Sequence, residues 1–203
     1  AYILQQLNKH GYEAYIVGGC VRDSLLGKQP NDWDITTSAK PEEVKAIFRR
    51  TIDTGIQHGT VTVLVDREIL DDGSGAPASH TDYAFEVTTY RVDGVYTDHR
   101  RPESVCFTAS LEEDLKRRDF TINAMAYNPE QGVIDIFGGQ EDLEKGIIRC
   151  VGEASERFDE DALRILRAVR FAAQLDFVIE NQTREAMRDQ AKFLKDISAE
   201  RIC

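Results

Sequence analysis

The sequence predicts a mixed α/β fold, followed by an all-α segment that begins near residue 150. Three observations carry this expectation. Short apolar runs of strand length alternate with helical periods through the first 150 residues, and glycines punctuate them. The run Gly18 to Thr37, GGCVRDSLLGKQPNDWDITT, reads as a glycine turn, a helix and a second strand. Beyond Gly152 every periodic stretch has helical spacing. The expected division is a domain over 1–148 and a helical segment over 149–203.

Ile3, Leu4 and Leu7 at helical spacing, closed by Gly11, predict a short opening helix. Tyr12 to Val17 reads as a strand ending at Gly18 and Gly19, and Val21, Leu25 and Leu26 form a helix face that Gly27 terminates. A strand is expected over Asp32 to Thr36, and Ser38 with Pro41 opens a helix containing Val44, Ile47 and Phe48. Strands follow at Thr60 to Val65 and Tyr83 to Tyr90, separated by an exposed loop over Asp71 to His80 that is expected to be mobile. Val92 to Ser104 is polar with little periodicity. Ser110 and Glu113 then make a capping box for a helix over Leu111 to Arg118. A short strand at Val133 to Ile136 ends in Gly138 and Gly139. A helix over Phe158 to Leu175 and another over Gln182 to Lys195 complete the chain, with a break near Asp176 to Asn181.

With 203 residues, 41% hydrophobic and 30% charged, the chain can bury a core and reads as soluble and globular. No apolar stretch reaches the roughly 18 residues of a membrane span, and no leader pattern opens the sequence, so a cytoplasmic location is expected. Cys20, Cys106, Cys150 and Cys203 are scattered, without metal-site pairs, and read as reduced thiols. A net charge of −11, from 25 basic and 36 acidic residues, argues against a general nucleic-acid coat. A nucleic-acid partner must meet a local basic patch. The chain opens at Ala1 inside an apolar-periodic segment and ends at Cys203 without a helix stop, which reads as a fragment.

Strand geometry would send Asp32 and Asp34 to one face, where paired carboxylates can hold divalent cations. An isolated Asp-x-Asp reads first as a pair of turn or capping aspartates, but the preceding Gly18-Gly19-x-x-Arg22 favours nucleotide chemistry. Gly18 and Gly19 let backbone approach a phosphate, the helix N-terminus directs N–H groups at it, and Arg22 can add a forked contact. The role of Asp23 stays open. Glu86, between Phe85 and Val87, is the candidate third carboxylate, facing either a polar cleft or solvent.

In Arg117, Arg118, Asp119, Phe120, Thr121, Ile122 and Asn123, adjacent arginines can bind triphosphate oxygens and Asp119 can accept from a ribose hydroxyl. The alternative is a solvated helix end. Asp161 and Arg164, three apart on one expected helix face, present an acceptor and a forked donor. Cytosine and adenine both offer an exocyclic amine beside an unprotonated ring nitrogen, whereas uracil and guanine offer a carbonyl beside a ring N–H. Such a pair can therefore accept C and A and reject U and G, although an ordinary helix salt bridge has the same spacing. Arg167 and Arg170 continue a basic stripe toward phosphate or solvent.

These segments together resemble the class II tRNA nucleotidyltransferases, the CCA-adding enzymes and their bacterial poly(A) polymerase relatives. GGCVRD with DWDITT, FEVTTYR, RRDFTINAMAY, DIFGGQEDLEKGIIRCVG and EDALRILRAVRFAAQLDF occur in order over nearly the whole chain. The resemblance implies an α/β (α+β) polymerase-β-like nucleotidyltransferase head with a mixed sheet, followed by an all-α neck. It implies that Asp32 and Asp34 bind catalytic Mg²⁺ and that Asp119 selects ribose. It also implies that Glu160, Asp161 and Arg164 form a protein template for CTP and ATP, with Arg167 and Arg170 near the triphosphate and the tRNA 3′ end as acceptor. Glu86 matches the third acidic position less securely. The polar run Val92 to Ser104 resembles the loop of enzymes that add the terminal A. GIQHGTVTVLV stands where poly(A) polymerases carry a basic segment. Together these favour CCA addition over poly(A), CC-only or A-only synthesis. The stretch Asp66 to Asp82 is longer than the usual hairpin, and family members continue into further helical domains.

Overall fold

A computed structural model describes residues 1–66, 69, 83–94 and 104–197, so the expected loop over Asp71 to His80, most of the polar run after Val92 and Cys203 lie outside the described residues. Two compact units are present, one comprising residues 1–91, 107–111 and 126–133 and the other residues 92–106, 112–125 and 134–203.

The first unit is built on a seven-stranded sheet with order β3-β4-β5-β2-β1-β8-β9. Its strands are β1 (Ala14–Val17), β2 (Asp34–Thr37), β3 (Thr51–Gly55), β4 (Thr60–Val65), β5 (Tyr83–Thr89), β8 (Met125–Asn128) and β9 (Gly132–Asp135). β2 runs parallel to β5, while β1 is antiparallel to both β2 and β8, and β4 is antiparallel to β3 and β5. The sheet is therefore mixed, as the resemblance implies. Helices α1 (Tyr2–Lys9), α2 (Gly19–Leu25) and α3 (Pro41–Ile47) belong to the same unit.

Strand alternation decides which side chains enter the core and which remain available for chemistry. Ile3, Leu4 and Leu7 of α1 and Val44 of α3 pack with Ile35, Val61, Val63, Val65 and Val87 from the sheet, all nearly inaccessible to water. Thr62 stands opposite Glu86 in the β4–β5 ladder, and Glu86 stands beside Asp34 in the β2–β5 ladder. Because their sequence neighbours Val61, Val63, Ile35 and Val87 point into the core, these three residues share the other face.

The second unit contains α4 (Leu111–Lys116), a 3-10 turn at Thr121–Asn123, α5 (Gly139–Lys145), α6 (Ala154–Glu160), α7 (Leu163–Leu175) and α8 (Asn181–Gln190). The short strands β10 (Ile147–Ile148) and β11 (Val178–Ile179) pair in parallel, so among the described residues the part beyond residue 150 is helical apart from β11. β6 (Arg91–Asp93) and β7 (Val105–Phe107) form a two-stranded sheet, closed by Gly94 N–H donating to the Ser104 carbonyl at 2.9 Å.

Two local expectations are corrected, and one strand that was not expected is present. Asp32 precedes its strand instead of lying on it, because β1 ends at Val17 and the ladder to β2 opens only at Asp34. Pro30, two residues upstream, lacks the N–H a ladder needs. The expected helix over Phe158 to Leu175 is two helices broken at Asp161, whose φ of −143° and ψ of 104° are extended. β3 is an additional edge strand.

Candidate active site

In the first unit, Asp32, Trp33, Asp34, Thr62, Ala84 and Glu86 line one cavity of about 440 Å³. The three carboxylate residues are exposed, with Asp34 and Glu86 placed side by side by the parallel register. Repulsion between such carboxylates is modest while water screens them and becomes costly when substrate excludes it, unless a cation intervenes. Among the described residues no three His, Cys, Asp or Glu side chains are gathered into a ready metal cluster. The set fits a hard divalent ion of the magnesium type, which takes one or two carboxylates and completes its octahedron with water and phosphate oxygens.

The glycine turn lies next to this cavity. Gly18 has φ 83° and ψ −135°, a conformation that only glycine adopts cheaply, and it caps α2, whose Val21 and Arg22 amides bond the Gly18 carbonyl at 3.1 and 3.2 Å. The Cys20 thiol donates to the Val17 carbonyl at 3.3 Å. Burial pushes that thiol up from its ordinary value, while the Asp34 backbone bonds its sulfur. A Cβ at Gly19 would sit 3.5 Å from the Arg22 guanidinium, so that group lies over the turn. Arg22 is 8% exposed, and its Nε donates to Asp23 at 2.8 Å. Asp23 therefore orients Arg22.

In the second unit the turn after α4 carries the next residues. Asp119 is 8% exposed, and its Oδ1 accepts the Phe120 amide at 2.8 Å and Asn123 Nδ2 at 3.2 Å. Its Oδ2 accepts Arg167 Nε at 2.7 Å. Segment 149–151 holds this turn from behind: Thr121 N–H reaches the Arg149 carbonyl at 2.9 Å, and Val151 N–H reaches the Asp119 carbonyl at 3.1 Å. The buried Cys150 thiol is pushed up to about 12, first by burial and then by the Asp119 charge. Arg167 and Arg170 of α7 flank the Phe171 ring at 5.2 and 5.3 Å from its centroid, and Arg170 is exposed.

Asp161 and Arg164 do not share one helix. Asp161 occupies the break, where its Oδ1 accepts the Leu163 amide at 3.0 Å, and Arg164 pairs with Glu160 across the break. Arg164 is 9% exposed and also donates to the carbonyls of Arg157 at 3.0 Å and Arg117 at 3.1 Å. Glu160 accepts Arg157 Nη2 at 2.5 Å as well, so one carboxylate bridges two arginines. Sequence reasoning missed Asp114, a fully buried carboxylate that holds Arg117 and Arg118. Its spacing of three and four residues before two arginines is the signal that points to it.

Comparison with known proteins shows the family to which this chain belongs. Residues 14–149 match the family model described as poly A polymerase head domain, and residues 176–203 match one described as probable RNA and SrmB-binding site of polymerase A. The chain is 56% identical over 200 residues to a CCA-adding enzyme of Geobacillus thermodenitrificans, covering 98% of this chain and 46% of the relative. A CCA-adding enzyme of Lactiplantibacillus plantarum is 55% identical over 199 residues, again with 98% and 45% coverage. Among solved structures, the Bacillus stearothermophilus CCA-adding enzyme in complex with CTP superposes with a TM-score of 0.84 at 49% identity, covering 99% of this chain and 45% of that one. The Thermotoga maritima CCA-adding enzyme complexed with tRNA gives 0.73 at 27% identity, with 99% and 43% coverage. The chain thus spans under half the length of the relatives it matches. With its mixed sheet, its carboxylate-lined cavity and a family match over residues 14–149, the chain belongs to the poly A polymerase head-domain family.

Proposed function

We propose that this chain is the catalytic portion, head 1–148 and neck 149–203, of a CCA-adding tRNA nucleotidyltransferase acting in the cytoplasm. It would extend the tRNA 3′ end from CTP and ATP without a nucleic-acid template. The observation that supports this best is the cavity in which strand register sets Glu86 beside Asp34, with Asp32 on the same lining. Family membership implies a divalent cation, and the all-oxygen donor set favours Mg²⁺ held by Asp32 and Asp34. Bound there, the ions would supply the charge that activates the attacking hydroxyl and offsets the negative charge of the reacting phosphate oxygens.

The chain's own residues do the rest. Gly18 and Gly19 keep the approach to the triphosphate open, and Arg22, Arg118, Arg167 and Arg170 supply guanidinium donors for its oxygens. Asp119, held by Asn123, presents an acceptor to the ribose. Asp161 and Arg164, fixed through Glu160, offer an acceptor for the exocyclic amine of C or A and a donor for the adjacent ring nitrogen. Arg164 is buried against two backbone carbonyls, so it reads the base from a rigid seat and not as a loose surface side chain.

A second reading, poly(A) polymerase, is favoured by the description of the matched family models. One experiment separates the two. Full-length protein is given a tRNA that stops before its CCA, with each nucleotide alone and all four together, and the products are sequenced. CCA ends support the proposal; long ATP-only tails on unrelated RNA support the alternative, and no incorporation with Mg²⁺ sinks both.

A further inference from the structure

α4 ends beside the residues proposed to choose the nucleotide, and it holds a carboxylate that is costly to bury. Asp114 has no accessible surface. A carboxylate removed from water is strongly penalised unless charged donors replace the lost hydration. Here two guanidinium groups do so. Asp114 Oδ1 accepts Arg117 Nε at 3.0 Å and Nη2 at 2.8 Å, and Oδ2 accepts Arg118 Nη2 at 3.2 Å. Asp93 stands 3.9 Å from the remaining Arg117 nitrogen.

Stability alone gives little reason for this cluster, because replacing buried ion pairs with apolar side chains is often neutral or stabilising. What the cluster fixes is the chain around Arg117 and Arg118. The Lys116 carbonyl accepts Arg157 at 3.3 Å, and the Arg117 carbonyl accepts Arg164 at 3.1 Å. The carbonyls at the end of α4 carry the partial negative charge of a helix C-terminus and lack helical donors, so they suit guanidinium partners. The peptide that seats Arg164 is thus the one whose flanking side chains Asp114 grips.

We infer that Asp114 is a positioning residue for nucleotide selection: by clamping Arg117 and Arg118 it sets the backbone seat of Arg164 and the aim of Arg118. It touches no substrate itself and acts through both arginines at once. The inference rests on the function proposed above and adds to it a determinant outside the motifs that bear the base and metal contacts.

The test uses three full-length variants. Asp114→Glu keeps the charge but moves the carboxylate by one methylene, Asp114→Asn removes the charge, and Leu115→Ala opens a cavity at a fully buried neighbour on the same helix without touching the clamp. Melting temperature, KM and kcat for CTP and ATP, and misincorporation of UTP are measured for each. Both Asp114 variants are expected to raise KM for CTP and ATP about tenfold and to increase UTP misincorporation, since ångström-scale misplacement costs this much or more. Leu115→Ala, even when equally destabilised, should retain wild-type selection. An Asp114→Glu protein that folds and keeps KM within twofold of wild type overturns the inference, as does a Leu115→Ala protein that loses selection to the same degree. Wild-type protein that fails to transfer C and A overturns the function itself and this inference with it. Normal wild-type transfer with unaffected Asp114 variants removes the inference alone.

Discussion

Gly139 opens α5, and replacing it with alanine should damage the nucleotide turn from behind. A Cβ at this position would lie 2.4 Å from the Thr121 carbonyl oxygen, 3.0 Å from its carbon and 2.9 Å from Met125 Cγ. An ordinary carbon–oxygen contact is about 1 Å longer, so either the α5 backbone or the turn bearing Thr121 must yield. Asp135 restrains α5 at that end, because its two oxygens accept the amides of Gly139 at 2.7 Å and Gln140 at 2.8 Å. The displacement therefore falls on the turn that holds Asp119 and Asn123. Overpacking against backbone costs about 3 kcal/mol, which lowers the melting temperature of a chain this size by about 6–12 °C. Gly138 is the internal control, since a Cβ there meets nothing within 4 Å and the penalty comes only from its φ of 75°. That conformation costs about 1 kcal/mol for a non-glycine residue. Thermal melts of both alanine variants, with KM for CTP measured beside them, check the reasoning. A Gly138→Ala protein destabilised as much as Gly139→Ala would refute it, as would Gly139→Ala with unchanged melting and KM.

Asp32→Ala should reduce transfer by at least about a thousandfold, because charge stabilisation of the reacting phosphate is lost. The exposed site should leave stability within about 0.5 kcal/mol of wild type; near-normal turnover in that variant excludes the metal assignment. Arg164→Ala should weaken selection of CTP and ATP together, read as incorporation from mixed nucleotides, and unchanged rejection of UTP and GTP counts against the template. Alkylation followed by peptide mapping should mark exposed Cys106 and spare buried Cys20 and Cys150, whose thiols burial pushes upward. Labelling of Cys150 at pH 8 without unfolding contradicts its placement. Burial raises the Asp114 carboxyl, but Arg117 and Arg118 outweigh it and hold the group below the ordinary carboxylate value. The unfolded chain then binds this proton near pH 4 while the folded chain does not. Its stabilisation is complete above that pH and disappears as pH falls through the folded value. Denaturant melts from about pH 5 down to about pH 3 should show a shallower loss in Asp114→Asn than in wild type.

Much of the first unit was legible because its signals are local. Val61, Val63 and Val65 recur at every second position and are buried, and Gly27 closes α2 with a φ of 69°. β3 was not legible, since Thr51–Gly55 has no fully buried residue and an edge strand can form on ladder hydrogen bonds alone. The break at Asp161 was hidden for a different reason. Its flanking residues keep helical spacing on both sides, so periodicity runs through a backbone that does not.

Period and spacing determined that strands and helices alternate before a run of helices, and which carboxylates and arginines are the candidates for chemistry. Those properties depend on residues within a few positions of one another, where sterics and side-chain alternation act directly. Tertiary structure decided which of these groups meet. Glu86 lies beside Asp34 through strand register, Arg167 reaches Asp119 from 48 residues away, and Arg164 is paired with Glu160 across the helix break. Such partnerships are set by how elements pack and where helices break, and packing is a property of the whole core that no single window of sequence contains.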